Sequence, residues 1–391
     1  MTTLVLLNFI FLCLLSIACG VVDTSKLFTD KDFNGSAIGT TNYRDELAVI
    51  ALGKKDYLHA ISVKKKRRHL LCVVFMKASV NNLVTVLSNM QRLGDACDWA
   101  VIFYAGEYKE EVKVCSHPKL KSRLVLCTRP RATLRVNDGV DVSNSKEHLS
   151  KSVPKTVLYR SLLPLLPNYE RIFLLDEDIS LVEFDYNIYS EVWDCAFRHQ
   201  SPPLITQAVV AEDTQFFDFV SERSWRDKNI VATASGLVEQ QAPLFDSIFF
   251  EWFVKRVLKS TYQYALEYGV DWGHDRSWCN AAAMYSVEVL GWAPGGAVCA
   301  IITGTSIHHL NTHAMVGKKT NKVYFRSQGN RVVQRYIDRY PTWVLLDILA
   351  QPSPLDAVYG HRYKKVETLD AQCVQRRKAA KQSNKEMMPI Q

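Results

Sequence analysis

Three apolar runs without polar alternation constrain this chain most: His69–Met76 (HLLCVVFM), Trp99–Tyr104 (WAVIFY) and Arg171–Leu175 (RIFLL). A strand with one wet face alternates apolar and polar residues, because successive side chains point to opposite faces. Runs that do not alternate belong to strands covered on both faces, as in parallel sheets between layers of helix. Asn81–Leu93, between the first two runs, carries apolar residues at helical spacing, so the order reads strand, helix, strand. Leu124–Cys127, Leu204–Val210 and Val298–Ile302 read as further strands. Lys155–Leu166 reads as a helix opened by Pro154 and capped by Ser152, and Ala242–Tyr268 as mostly helix. The expected fold class is α/β, a mostly parallel central sheet flanked by helices on both faces.

The flanks differ in kind. Leu4–Val22 is apolar apart from Asn8 and Ser16, and Ala18-Cys19-Gly20 suits signal peptidase. The run is also close to the roughly 20 residues that span a bilayer. Residues 1–20 therefore read as a signal peptide or a signal anchor, and 21–68 as a polar extension. The α/β domain takes 69–320, a helical extension 321–363, and a basic tail without fixed structure, or a frayed helix, 364–391. The expected address is the secretory pathway: ER or Golgi lumen, or secreted, with a type II membrane anchor as the alternative. Asn34-Gly35-Ser36 is a glycosylation acceptor that fits it. Outside the leader, eight cysteines lack both C-x-x-C and zinc-type spacing, so disulfides or buried thiols are expected, with no pairing preferred. The net charge of +8 lies mainly in Lys64–Arg68 and the tail, outside the core. Without a basic stripe or a reading motif, no nucleic-acid partner is expected.

The chemistry concentrates in RIFLLDEDISL. Ligands of open α/β sheets bind beyond the carboxyl ends of the strands. A buried strand ending in Asp176-Glu177-Asp178 delivers two carboxylates there, pointing one way, with Glu177 pointing the other. Two converging carboxylates repel unless a cation compensates them. Mn²⁺ or Mg²⁺ bridging to substrate phosphates suits such a hard oxygen site.

From Tyr159 to Asp178 the chain resembles the donor-site region of the glycosyltransferase A fold, the nucleotide-diphospho-sugar transferases. More of it resembles a plant and algal family of unknown function often mislabelled lysine-ketoglutarate reductase trans-splicing related. The pieces, in order, are Phe173–Asp178, Ile205-Thr206-Gln207, Ser235–Glu239 running to Ala242–Phe245 as a helix start, Asp271–Asp275 and Ile307-His308-His309. They cover roughly residues 69–315. Leu175 and Leu237 stand where the family has tryptophan, and Asn311 where it has glycine, which alters the walls of the sugar pocket but leaves the ligand residues in place.

The resemblance implies a metal-dependent transfer of sugar from a nucleotide-diphosphate donor to a hydroxyl of a glycan or glycoconjugate. Asp178 would hold the metal, Asp176 would support it and reach the donor, and His309, with His308 competing, would complete the site. Arg160 and Lys155 would face the diphosphate, as cationic clamps do. Gly236 would let the backbone approach the sugar. Glu239 and Asp275 are the acid–base candidates, although Asp275 also suits the cap of the helix RSWCNAAAMY. Two other readings compete. In a metal-dependent hydrolase, His309 and His313 would share a helical face; a non-catalytic lumenal binding protein would keep the fold without turnover.

Overall fold

The apolar runs form three adjacent strands toward one end of a ten-stranded sheet among the described residues. The computed structural model describes residues 68–128, 154–197, 202–211, 221–222, 229–258, 274–275, 277–292, 297–310, 362–366 and 368–386. The leader, the Asn34 acceptor, Ser152, Asp271–Gly273, His313 and the extension 321–361 lie outside the described residues. In chain order the strands are β1 (Arg68–Ala78), β2 (Cys97–Gly106), β3 (Leu124–Thr128), β4 (Tyr169–Asp176), β5 (Ile179–Ser180), β6 (Ile205–Val210), β7 (Ala232–Ser235), β8 (Leu244–Asp246), β9 (Cys299–His309) and β10 (Arg362–Val366). The helices are α1 (Val80–Leu93), α2 (Tyr108–Cys115), α3 (Pro118–Lys121), α4 (Lys155–Leu158), α5 (Tyr186–Cys195), α6 (Ser247–Trp252), α7 (Trp278–Met284) and α8 (Ala371–Glu386).

The sheet order is β10-β7-β9-β6-β8-β4-β1-β2-β3, with β5 paired to β9 off this path. β1, β2, β3 and β4 pair in parallel, as do β6 and β9, while β8 runs antiparallel between β4 and β6 and β7 antiparallel to β9. Leu70–Met76 and Trp99–Phe103 are buried at every residue, so both faces of β1 and β2 are covered. That is the mostly parallel α/β arrangement the unalternated runs require. The α1 helix buries Leu83, Val86, Met90 and Leu93, a stripe at helical spacing, and ends at Gly94, whose φ of 52° favours glycine.

Three local expectations are corrected. Lys155–Leu166 is not one helix: it breaks into α4, a 3₁₀ turn at Tyr159–Leu162 and another at Leu166–Asn168. Pro164 and Pro167 lack the N–H that a continuing helix needs, and Pro154 is the N-cap rather than the first helical residue. Over its described residues, 242–258, Ala242–Tyr268 is mostly helix as read, but it opens with a strand, and the motif around Ser235–Phe245 is not a helix start. Strand β8 comes first, and Asp246 then caps α6 by accepting from the backbone of Ile248 and Phe249, both at 3.0 Å. The tail, expected without fixed structure or as a frayed helix, forms β10 and α8 among its described residues. β10 adds to β7, and α8 is bound to α5 by the Cys195–Cys373 disulfide and by Arg377, which meets the Asp194 carboxylate at 2.5 Å. Helix α8 has no apolar stripe, the signal by which sequence finds packed helices.

All eight cysteines outside the leader pair: Cys72–Cys97, Cys115–Cys127, Cys195–Cys373 and Cys279–Cys299. The last ties α7 to the start of β9, two elements that flank the site. Among the described residues no helix is long and apolar enough to cross a membrane.

Candidate active site at the carboxyl edge of the sheet

The β1–β4 ladder ends at the pair Phe75–Asp176, so Asp176 is the last rung and Glu177 and Asp178 extend past it. Their backbone is held from the other side. The N–H of Asp176 donates to the Gln241 carbonyl at 3.0 Å, and the Asp178 carbonyl accepts from Leu310 at 2.8 Å. The chain leaving Asp178 is caught by Asn89 of α1, whose amide donates to the Ile179 carbonyl at 2.7 Å and accepts from the Leu181 N–H at 2.8 Å.

Strand β9 brings a histidine from far along the chain. Its register with β6 jumps from Ala208–Ile302 to Val209–Ser306, leaving Thr303, Gly304 and Thr305 as an extra bend. The bend is pinned by Thr303 N–H to the Val231 carbonyl, 3.0 Å, and by Asp185 N–H to the Thr305 hydroxyl, 2.7 Å. Past it, β9 pairs with β5, setting His309 opposite Ile179 and His308 opposite Ser180. Strand alternation then separates the two imidazoles. His309 Nε2 stands 3.3 Å from Asp178 Oδ2, and His308 Nε2 stands 3.0 Å from Glu183 Oε2. Residues 299–309 are strand, so His309 does not lie on the helical face that the hydrolase reading needs.

Both aspartates are charge-compensated from within the protein. Lys155 Nζ meets Asp176 Oδ1 at 2.5 Å. Burial pushes the Asp176 carboxyl above the usual carboxylate range, with Lys155 pulling against it. Burial works the same way on Asp178, but the hydrogen bond and charge of His309 outweigh it and hold that carboxyl low. Burial opposes the His309 imidazolium in turn, and Asp178, with Asp176 and Glu239 beyond it, raises its pKa nonetheless. Arg160 sits half-buried on the 3₁₀ turn after α4, and the ion pair at Asp176 is made by Lys155.

The segment after β7 supplies the second half of the site. Gly236 is buried directly beyond Ser235, and Glu239 follows, buried. The Glu239 N–H donates to Gln207 Oε1 at 2.7 Å, its carboxylate accepts from the Gln241 amide, and Trp278 Nε1 donates to the Val238 carbonyl at 2.8 Å. Burial pushes the Glu239 carboxyl up to about 7. The charge of Asp275 adds to the shift, while the Gln241 and Gln207 amides and His309 oppose it. Glu239, Asp275 and His309 thus share one electrostatic neighbourhood. Asp275 does not cap α7: the N-cap is Ser277, and the His274 carbonyl accepts from Ser277 and Trp278 N–H groups at 2.9 and 3.1 Å. His274 is buried beside it and pressed by that burial to about 3, so it is neutral.

Glu239 yields a pH prediction. Its folded pKa lies above its unfolded value, so its stabilisation is complete below the unfolded pKa and is lost as pH rises through about 7. The loss amounts to roughly 3 kcal/mol at most. Glu239→Gln should remove that slope, which chemical denaturation at about pH 5 and about pH 8 would measure; an unchanged slope would place the titration elsewhere.

Sequence reasoning did not assign roles to Tyr104, Asn82, Gln207 or Gln241. Gln207 and Gln241 lay within motif pieces, and no signal marks Tyr104, at the end of an apolar run, or Asn82, on the polar side of a helical pattern.

No protein-family model matches the chain, and no curated protein matches it in sequence. Among solved structures it is similar to the mannosyltransferase PcManGT from Pyrobaculum calidifontis in complex with GDP-Man and Mn²⁺. That match has 12% identity and a TM-score of 0.34, over 80% of this chain and 79% of that one. It is similar to glucosyl-3-phosphoglycerate synthase from Mycobacterium tuberculosis in complex with phosphoglyceric acid, at 10% identity and a TM-score of 0.35, over 78% and 85%. It is also similar to the galactosyltransferase LgtC in complex with donor and acceptor sugar analogs, at 12% identity and a TM-score of 0.28, over 51% and 65%.

Proposed function

We propose that this protein is a metal-dependent glycosyltransferase that moves a sugar from a nucleoside-diphosphate donor to a hydroxyl of a glycan or glycoconjugate. The observation that carries the reading is the assembly at one sheet edge of groups distant in sequence: Asp176 and Asp178 from β4, His309 from β9, Lys155 from α4, and the Glu239–Asp275 pair. The resemblance of five ordered motifs to the plant and algal family supports the same reading. A secretory address is part of the proposal. It is supported by the Leu4–Val22 run and by the pairing of every described cysteine, since disulfides persist in oxidising compartments.

The donor set fits a hard divalent cation in kind: two carboxylates and an imidazole, with Asp178 and His309 already side by side. Among the described residues no three His, Cys, Asp or Glu side chains form a ready-made metal group, and Asp176 is paired with Lys155. Asp178, His309 and Asp176 would hold Mn²⁺ or Mg²⁺. When bound, the cation supplies positive charge against the donor diphosphate.

The protein's own groups account for the remaining work. Lys155 lies beside Asp176 and can turn its ammonium toward the departing diphosphate, offsetting charge that grows as the glycosidic bond breaks. The acceptor hydroxyl loses a proton as it attacks, and Asp275 is the group assigned to take it. Glu239, neutral or ionised near pH 7, is positioned by two amides to hydrogen-bond the sugar.

Thermal stabilisation by UDP, GDP and CDP, each with and without Mn²⁺, tests the proposal. One nucleotide should raise the melting temperature, and more with metal than without, because a ligand that binds only the folded state stabilises it. No stabilisation by any of them would sink the reading. Stabilisation without hydrolysis of any matching sugar nucleotide would favour the non-catalytic binding protein.

A further inference from the structure

Glu177, between the two aspartates, points away from them and is buried, at 7% exposure. A buried carboxylate is costly unless its oxygens are hydrogen-bonded. This one accepts from three donors on three elements: the Lys77 N–H of β1 at 2.7 Å, the Asn82 amide of α1 at 2.8 Å and the Tyr104 hydroxyl of β2 at 2.6 Å. The placement of those donors is constrained in turn. The β1–β2 register shifts between Met76 and Lys77, and β2 closes against β1 through Gly106. There φ is 110°, and a Cβ would stand 2.6 Å from that of Ala78 and 2.8 Å from Ala78 backbone atoms, so only glycine allows the approach.

The location of this anchor gives it a role beyond stability. The backbone ladder between β1 and β4 stops at Phe75–Asp176. Lys77 N–H to the Glu177 carboxylate takes the place of the next rung, beyond the last residue the sheet itself fixes. Asp176 and Asp178 lie one residue to either side. Gln241 and Leu310 hold their backbone from the far side; on the near side the Glu177 carboxylate ties it between the two aspartates, and Asn89 ties the chain just after them.

We infer that Glu177 is a positioning residue, whose hydrogen bonds to Lys77 N–H, Asn82 and Tyr104 set the direction in which Asp176 and Asp178 present their carboxylates to a divalent cation and a nucleoside diphosphate. The inference rests on the proposed function and extends it to a residue that touches neither ligand. Burial, together with the negative charges of Glu177, Asp176 and Asp178, raises the Tyr104 pKa, so its hydroxyl keeps its proton and remains a donor.

The test uses calorimetric affinity for Mn²⁺ alone and for the stabilising nucleoside diphosphate with Mn²⁺, beside the ligand-free melting temperature, in the full chain. Glu177→Ala should weaken both affinities by about 10- to 100-fold, the scale of lost outer partners at metal sites. Glu177→Gln should stay within about threefold of wild type. An amide oxygen can still accept from Lys77 and Asn82, and its NH₂ can donate to a reoriented Tyr104 hydroxyl. Tyr104→Phe, which removes one donor and no charge, should fall between them and covers the case in which the alanine variant does not fold. Wild-type affinities in the folded alanine or phenylalanine variant, with only the melting temperature lowered, would overturn the inference. So would an equal loss in Glu177→Gln and Glu177→Ala, which would make charge rather than position the cause. A wild-type protein that binds no nucleotide with metal overturns the proposed function and this inference with it, whereas intact wild-type coupling that survives Glu177→Ala overturns this inference alone.

Discussion

Asp178→Asn is expected to abolish the dependence of nucleotide binding on metal. Wild type should bind a nucleoside diphosphate more tightly with Mn²⁺ than without it, and the variant should show little difference, a loss of at least about tenfold in coupled affinity. The substitution keeps size and polarity and removes one negative charge, so a change in coupling reports on the cation rather than on shape. His309→Ala should act in the same direction but less strongly, because a neutral ligand contributes less charge.

Ligand-free stability shows what the structure adds to this expectation. Two crowded carboxylates alone would repel, and removing one charge would stabilise the apo protein. Here Lys155 neutralises Asp176, and His309 holds the Asp178 pKa low. Asp178 therefore contributes stability that is present above its unfolded pKa and lost as pH falls through the lowered folded value. Asp178→Asn should reduce apo stability modestly near neutral pH, and the deficit should shrink on acidification. Calorimetry of nucleotide binding with and without Mn²⁺ decides the main point. Coupling that survives the substitution unchanged would remove Asp178 as the ligand, and with it the chief support for a metal-dependent transferase.

What was legible beforehand follows the reach of each signal. Period and burial are local, so HLLCVVFM, WAVIFY and RIFLL mark β1, β2 and β4 within a few residues. The Asp176-x-Asp178 alternation follows from strand geometry in the same way. The short strand β8 escaped because Leu244–Asp246 abuts a helix, and three residues carry no readable period. The interruption at Pro164 was readable in principle, but apolar density outweighed the missing donor. Helix α8 is kept in place by a disulfide across 178 positions and an arginine clamp across 183, contacts that no window contains. Which of His308 and His309 stands beside Asp178 depended on the bend at Thr303–Thr305 and on pairing with β5, both tertiary. Glu177 shows the limit most clearly. Alternation says that it faces away from the aspartates, but not that three donors wait there.

Asp275→Asn should lower sugar transfer by about 100-fold or more while leaving nucleotide and metal affinity near wild type, the pattern of a lost general base. An asparagine has the same shape and cannot take the acceptor proton at neutral pH. A capping role would have confused this test, since losing a cap costs about 1 kcal/mol and lowers the melting temperature. The structure separates the two, because the N-cap of α7 is Ser277 and the turn is closed by the His274 carbonyl. Stability near pH 5 should therefore stay close to wild type. The substitution has a second readout that needs no substrate. The negative charge of Asp275 helps hold the Glu239 pKa up near 7, so removing it should let that pKa fall toward the ordinary carboxylate range. The pH window over which wild type loses stability should then close from its upper end, and the variant should gain stability relative to wild type at about pH 8. A variant with the wild-type pH profile would show that Asp275 does not face Glu239. One with full transfer activity would return Asp275 to the turn before α7 and leave Glu239 as the candidate base.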